Sequence, residues 1–376
     1  MKYYSKEYRP ASPSWRAALC LGLLLGSLAS LLGLLPLRGW PPRPWSGWAA
    51  YGVCLLVYAA VEVGLQCSFT LQLESHVVMG VIVLQGLLRG LVFAAAARRR
   101  ALLGQFAECL VLYTARHPPA GWWPVVAMSL MVWPFWAVYG AYCGYEMYRR
   151  EVSWDCCPWR AVVIVLVVAG ESLVNSVAFL LVVAPMAALG VLAVGLRADC
   201  AAAASLAPGG ASLDPRLRWR ALRVRQQLLC DMHDMALALS EERSLLVLVN
   251  FSLNATLWYS DCAYMLSRPG GALSPLVPAV VAVCHQVFFA ALCVASQRFH
   301  AESVRIGSLL LGHLAETVET KETSHEVSCF VDQVLRQSNS YSLLGVLDLN
   351  SSTLKSVFAA VTSYLVFMVQ FDIKVQ

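Results

Sequence analysis

Apolar residues in this chain come in blocks rather than on one face of each element. Such blocks run over 47–67, 76–97, 122–144, 161–183, 244–264, 275–297 and 356–373. A helix needs about 20 mostly apolar residues to cross a bilayer, so the pattern predicts seven transmembrane helices. The fourth block extends over 161–196, too long for one span, and reads as a helix that continues below the membrane past Pro185. An eighth apolar segment, 17–37, follows Lys2, Lys6, Arg9 and Arg16. Its basic flank is like that of a secretory signal. The stretch is longer than a signal's apolar region, however, and no small-x-small cleavage site leads into a polar start. It is read as a span or as an interfacial helix lying on, or re-entering from, the cytoplasmic side.

Lysine and arginine collect on the cytoplasmic side of membrane proteins. With seven spans, the segments 1–46, 98–121, 197–243 and 298–355 share one side and hold 22 basic residues. The opposite side holds 5, and Arg89 lies within a span near its inner end. The N-terminus is therefore expected inside and the C-terminus outside. If 17–37 also crossed, the split would weaken.

The two long inner segments show a different periodicity. In 216–246, Leu217, Leu222, Leu228, Leu229, Met232, Met235 and Leu239 recur at helical spacing, with arginines on the other face. In 303–337, Val304, Leu309, Leu310, Leu314, Val318, Val327, Val331 and Leu335 do the same. These are read as amphipathic helices that project below the membrane and pack together. The Ala- and Gly-rich stretch 198–214, with Pro208-Gly209-Gly210, is read as a flexible joint.

Composition agrees with the blocks. The chain has 376 residues, 59% of them apolar and 14% charged, and a mean hydropathy of +0.61. Soluble proteins average roughly 45–50% apolar and about 25% charged. The net charge of +5 is small and sits in loops, so a nucleic-acid partner is not expected. The 13 cysteines are scattered, mostly within apolar blocks, where they act as small hydrophobes rather than a disulfide scaffold. The vicinal pair Cys156-Cys157 falls in an outer loop, where it is either oxidised or simply two surface thiols. Asn254-Ala255-Thr256 lies inside a span and Asn350-Ser351-Ser352 on the inner side, so neither sequon is expected to be glycosylated.

Enzyme signatures do not appear. There is no Gly-rich phosphate loop, no His-Glu-x-x-His and no Gly-x-Ser-x-Gly. His233-Asp234 and His285-Gln286 are isolated dipeptides. No catalytic residue, cofactor or metal is expected. A G-protein-coupled receptor would carry its N-terminus outside, and neither Asp-Arg-Tyr after the third span nor Asn-Pro-x-x-Tyr in the last is found. A carrier often shows two related halves, and no such repeat is evident. A signalling receptor without a pore and a carrier remain the alternatives to a channel.

The last block carries the most informative oddity. It contains Thr362, Ser363, Tyr364, five apolar residues, then Gln370 and Phe371. An amide deep in an apolar helix persists where it meets water, another helix or a pore, and the residues alone leave packing and pore both open.

The segment 341–371 resembles the C-terminal signature of insect gustatory receptors, which reads Thr-Tyr, five apolar residues, Gln-Phe. Tyr364, Gln370 and Phe371 match, Ser363 stands where Thr is usual, and Thr362 precedes it. The approach through Gly345, Asp348 and Asn350 and the Leu-rich 31–37 are also similar. The resemblance implies a ligand-gated, non-selective cation channel opened by a small external tastant. It implies a tetramer, of this chain or with sister receptors, in the plasma membrane of sensory neurons. The seventh helix would line the pore, with Gln370 and Phe371 at its constriction and Thr362, Ser363 and Tyr364 in packing or coupling. Gustatory members for common sugars usually carry Glu within the five-residue stretch. Here 365–369 holds no acid, which disfavours that clade.

The expected fold class is an all-α integral membrane protein with seven transmembrane helices, a cytoplasmic N-terminus and a cytoplasmic anchor domain made from helical extensions. The expected divisions are a cytoplasmic or interfacial region 1–46, helices one to four in 47–196, a cytoplasmic helical loop 197–243, helices five and six in 244–297, anchor helices 298–355 and the pore helix with its short outer tail, 356–376. Candidate ligand contacts are the aromatic and polar residues in the outer halves of spans: Trp136, Tyr139, Glu171, Trp258, Tyr259, His285 and Gln286. His76, Trp133, Tyr142 and Asp261 belong to the same set. An apolar pocket with a few convergent polar groups is the usual small-molecule site, while Trp and Tyr also anchor helices at the bilayer surface. Glu171 stands apart, because a carboxylate within a span is costly unless paired or wetted.

Overall fold

The computed structural model describes residues 99–118, 121–122, 126–127, 158–205, 214–267, 276–316, 320–337, 342–343 and 347–375. The expected spans 47–67 and 76–97, the segment 17–37, nearly all of 122–144 and the Cys156-Cys157 pair lie outside the described residues. Among the described residues there are six helices: α1 Arg100–Arg116, α2 Pro158–Ser205, α3 Pro215–Ser267, α4 Leu276–Glu316, α5 Lys321–Arg336 and α6 Ser351–Val375. A two-stranded antiparallel hairpin precedes α6. Its strands are β1, Ser342–Leu343, and β2, Leu347–Asp348, with Ser342 opposite Asp348 and Leu343 opposite Leu347.

Three helices are far longer than a bilayer requires. α2, α3 and α4 have 48, 53 and 41 residues. At 1.5 Å per residue they run to roughly 70, 80 and 60 Å. Each joins one predicted span (161–183, 244–264 or 275–297) to a long continuation with no break. α2 passes through Pro185 without ending, although the proline lacks the amide that would bond the Leu181 carbonyl. The stretch Val182–Ser205 is itself long and apolar enough to cross a membrane, yet most of it is buried against its neighbours.

The continuations pack on one another. α2, α3 and α4 form a three-helix core, with α5 laid across α3 and α4, α1 against α3, and α6 against α3 and α4. Leu189, Leu192 and Leu196 of α2 meet Trp219, Leu229 and Met232 of α3 and Phe299, Ile306 and Leu310 of α4 within one buried cluster. Gly190 allows the closest approach. A Cβ there would lie 3.1 Å from the Arg298 side chain of α4, so the glycine gives α4 room beside α2.

α5 is amphipathic in the ordinary way. Thr323, Val327, Phe330, Val331 and Val334 are buried at one-face spacing. Its N-terminus suits the helix dipole, with Glu322 in the first turn and Arg336 in the last. The amphipathic stretch expected over 303–337 is therefore two helices. α4 ends at Glu316 and α5 starts at Lys321.

α3 packs largely on the stripe its apolar residues suggest, with Leu222, Leu229, Met232 and Leu239 buried, but not on all of it. Trp219, Leu222, Gln226, Leu229, His233, Ala236 and Ser240 are buried, at steps of three and four residues. Leu217, Val224 and Leu228 are exposed on another face. Val304 and Leu335, also expected inside, are exposed as well.

Asn350 starts α6. Its side-chain oxygen accepts the amides of Ser352 at 2.9 Å and Thr353 at 3.0 Å, which satisfies two of the free donors at a helix start. The Asn350 sequon is thus a helix cap in the fold. Asn350→Ala is expected to cost about 1 kcal/mol and Asn350→Asp far less, read as unfolding midpoints of the solubilised full chain.

Candidate functional site

Two regions bear on function: the interior of the helical core below the predicted spans, and an exposed face of α6.

Several polar groups lie within the largely apolar core interior. Gln226 donates to Ser303 of α4 at 3.3 Å. Cys230 donates to Gln337 at 2.9 Å, and Gln337 in turn donates to Gln227 at 2.9 Å. His233 is fully buried and stacks on Phe299, with ring centroids 4.6 Å apart. Its burial, then the charge of His300, lowers its pKa to about 4. At neutral pH the ring is uncharged, so its Nδ1, 3.8 Å from Asp234, makes no ion pair there. Among the described residues neither ring nitrogen has a hydrogen-bond partner. Burial pushes the Cys200 and Cys230 thiols up to about 12, which keeps both protonated and unreactive.

Ion pairs tie the helices together around this interior. Glu302 of α4 is buried; its Oε2 lies 3.1 Å from Arg197 Nε of α2 and its Oε1 2.5 Å from Arg305. Arg225 of α3 meets Asp199 of α2 at 2.7 Å. Beside Arg225 sits Tyr113 of α1, whose hydroxyl burial holds above its ordinary pKa. Arg216 and Arg223 of α3 meet Glu322 and Glu326 of α5 at 2.8 and 3.2 Å. Arg216, Arg223 and Arg225 of the arginine face are thus paired with acids of α2 and α5. Among the described residues no group of three or more His, Cys, Asp or Glu side chains is placed to hold a metal ion.

Among the described side chains, α6 packs through one edge. Thr353 and Val361 are buried and Leu354 and Val357 partly so. A neighbouring face, Ser356, Ala360, Ser363, Phe367 and Gln370, is exposed in a single chain. These five fall at i, i+4, i+7, i+11 and i+14, one stripe of a helix. Thr362 is exposed too, and its hydroxyl donates to the Phe358 carbonyl at 2.8 Å. Tyr364 and Phe371 are helical residues of the same element.

The ligand-side candidates are distributed over several elements. Trp136 and Tyr139 lie outside the described residues, as do His76, Trp133 and Tyr142. Glu171 is on α2, Trp258 and Tyr259 on α3, and His285 and Gln286 on α4. Gln286 is buried, and its side-chain oxygen has no hydrogen-bond partner among the described residues.

The residues that reading the sequence missed are Gln226, His233, Ser296 and Glu302, all buried in the core. For the first two the signal was present as the three-and-four spacing from Trp219 to Ser240, hidden because every other position is polar.

Comparison with known proteins places this architecture. A family model described as 7tm Chemosensory receptor matches residues 125–375. The chain belongs to the 7tm chemosensory receptor family. No curated protein sequence matches it. Among solved structures, this chemosensory receptor is similar to the insect olfactory receptor OR5 from Machilis hrabei, at TM-score 0.56 and 10% identity, covering 94% of this chain and 98% of that one. OR5 in complex with eugenol matches at TM-score 0.54 and 10% identity, over 95% and 99% of the two chains. The chemosensory receptor therefore shares the all-helical fold of an insect olfactory receptor. It is a membrane receptor and not an enzyme.

Proposed function

We propose that this receptor is a ligand-gated, non-selective cation channel of the gustatory type, opened by a small external tastant outside the common-sugar class. It has seven transmembrane helices with the N-terminus in the cytoplasm, and works as a tetramer, of this chain or with sister receptors, in the plasma membrane of sensory neurons. The observation that carries this reading is the solvent-exposed stripe of α6, Ser356, Ala360, Ser363, Phe367 and Gln370. It alternates small hydroxyls with apolar side chains and leads to the Gln370-Phe371 pair of the gustatory signature. Four such faces around an axis make a pore in which an apolar ring blocks ions by dewetting and the amide beside it hydrates them on opening. Thr362, Ser363 and Tyr364 serve packing and coupling on the same helix.

The ligand side is assigned to Trp136, Tyr139, Glu171, Trp258, Tyr259, His285 and Gln286. Gln286 has the best support, since a buried carbonyl oxygen without a donor is costly and a ligand's N–H or O–H would satisfy it. The eugenol complex of OR5 supports a small organic molecule as the kind of ligand.

The test is whole-cell and single-channel current from cells expressing this chain alone, challenged with bitter alkaloids, sugars and other tastants. A ligand-evoked cation current is expected. Gln370→Ala is expected to change unitary conductance severalfold, and Phe371→Ala to raise the current without ligand. If neither change moved permeation or gating, the pore assignment would be wrong. Silence with verified surface expression would count against a self-sufficient homomer and call for co-expression with sister receptors.

A further inference from the structure

The entry to α6 is held by hydrogen bonds that converge on residues 348–354. Asn350 caps the helix, the Thr353 hydroxyl donates to the Asp348 carbonyl, and the Leu354 amide bonds Asn350 at 3.1 Å. All of these are local. One bond comes from another helix: Ser296 Oγ of α4 lies 2.9 Å from the Leu349 carbonyl. The same hydroxyl lies 2.9 Å from the Cys293 carbonyl one turn earlier in α4. A serine inside a helix ordinarily donates only backwards within its own helix. Here one proton is offered to two acceptors, one in α4 and one at the base of α6.

The site is dry. Ser296 and Leu349 are each 1% exposed, and a buried carbonyl needs a donor. Position matters as well. α4 also carries Gln286, ten residues before Ser296 and so roughly 15 Å away along the helix. α4 thus joins the best-supported ligand residue to the base of the helix that carries the Ser356–Gln370 face. Leu349 also belongs to the buried apolar cluster that holds Phe299 and Ile306 of α4; at Ser296 the join is directional.

We propose that Ser296 is a positioning residue for gating, whose hydroxyl couples α4 to the entry of α6. A small displacement of α4 moves the proton between the Cys293 and Leu349 carbonyls, so the base of α6 is either held or released. This rests on the channel reading above.

The experiment uses the full chain with Ser296→Ala, which removes the donor, and Ser296→Thr, which keeps it, with surface expression matched. Two quantities are read: maximal current at a saturating tastant, and deuterium exchange of the amides over 349–356 in the purified protein. In Ser296→Ala the maximal current is expected to fall, and exchange over 349–356 to speed up, each by roughly fivefold, as for the loss of one hydrogen bond. The half-activating concentration should change far less than the maximum, because ligand contacts are untouched. Ser296→Thr should retain wild-type values of both. Wild-type current and exchange in Ser296→Ala would overturn the proposal, as would a Ser296→Thr variant as impaired as the alanine. A current loss with unchanged exchange over 349–356 would also overturn it. If the wild-type chain carries no current, the channel reading falls by itself. Exchange then decides the join: faster in Ser296→Ala upholds it, unchanged refutes it.

Discussion

Replacing Arg197 and Arg305 together by methionine destabilises this receptor by about 3–5 kcal/mol, the cost of leaving a buried charge without a partner. Each single replacement costs about 1 kcal/mol. The reason lies in the asymmetry of the triad. The Glu302 side chain is 5% exposed, while those of Arg197 and Arg305 are 37% and 60% exposed. Either arginine alone leaves the carboxylate one cation at short range. Without both, the carboxylate sits inside the helical core among α2 and α4 side chains, with its desolvation unopposed. The loss is therefore strongly non-additive, as expected for residues sharing one partner. A triple variant that also carries Glu302→Leu recovers most of the stability, because it removes the charge that needed the arginines. Urea titration of the detergent-solubilised full chain, followed by tryptophan fluorescence, measures the wild type and all four variants. Equality of the double variant with the sum of the singles would refute the account.

How much of this could be read from the residues divides along a physical line. Long apolar blocks report on burial in any apolar medium, so 161–183, 244–264 and 275–297 could be read as helical spans before any fold was known, and each lies within one long helix. The strip Thr362 to Phe371 was legible as a signature because its polar residues are sparse against an apolar background. The core below was less legible, because polar groups are mixed into its apolar interior. Gln226, His233, Ser240, Ser296, Ser303 and Glu302 are all buried. A pattern that equates inside with apolar assigns such positions to water and selects Leu217 and Leu228 in their place. Nor does the pattern show that Arg216, Arg223 and Arg225 meet acids more than 20 residues away in the chain. Long-range pairing of that kind leaves no local trace. The hairpin 342–348 was missed for another reason: two residues per strand are too few for any alternation to register.

His233 makes the same interior sensitive to acid. The unfolded imidazole takes up a proton near pH 6.5, whereas in the fold burial and the nearby His300 hold its pKa to about 4. Between those values the unfolded chain binds more protons than the native one, so stability falls as pH drops through this window and rises as pH increases. A shift of that size corresponds to about 3 kcal/mol lost between pH 6.5 and 4. Above 6.5 the ring is neutral in both states and contributes no pH dependence. His233→Leu removes the titrating group and two ring nitrogens that lack partners among the described residues. It costs the stack on Phe299, so little net change in stability is expected at pH 7. Between pH 6.5 and 4, its unfolding midpoint should decline less steeply than that of the wild type. The informative quantity is the difference between the two curves, because carboxylates elsewhere titrate at the low end in both proteins and cancel. Parallel curves across the window would mean that the imidazole accepts its proton inside the fold. That would require a partner for the charge, and the Asp234 carboxylate, 3.8 Å from Nδ1, is the group that would then have to turn inward to meet it.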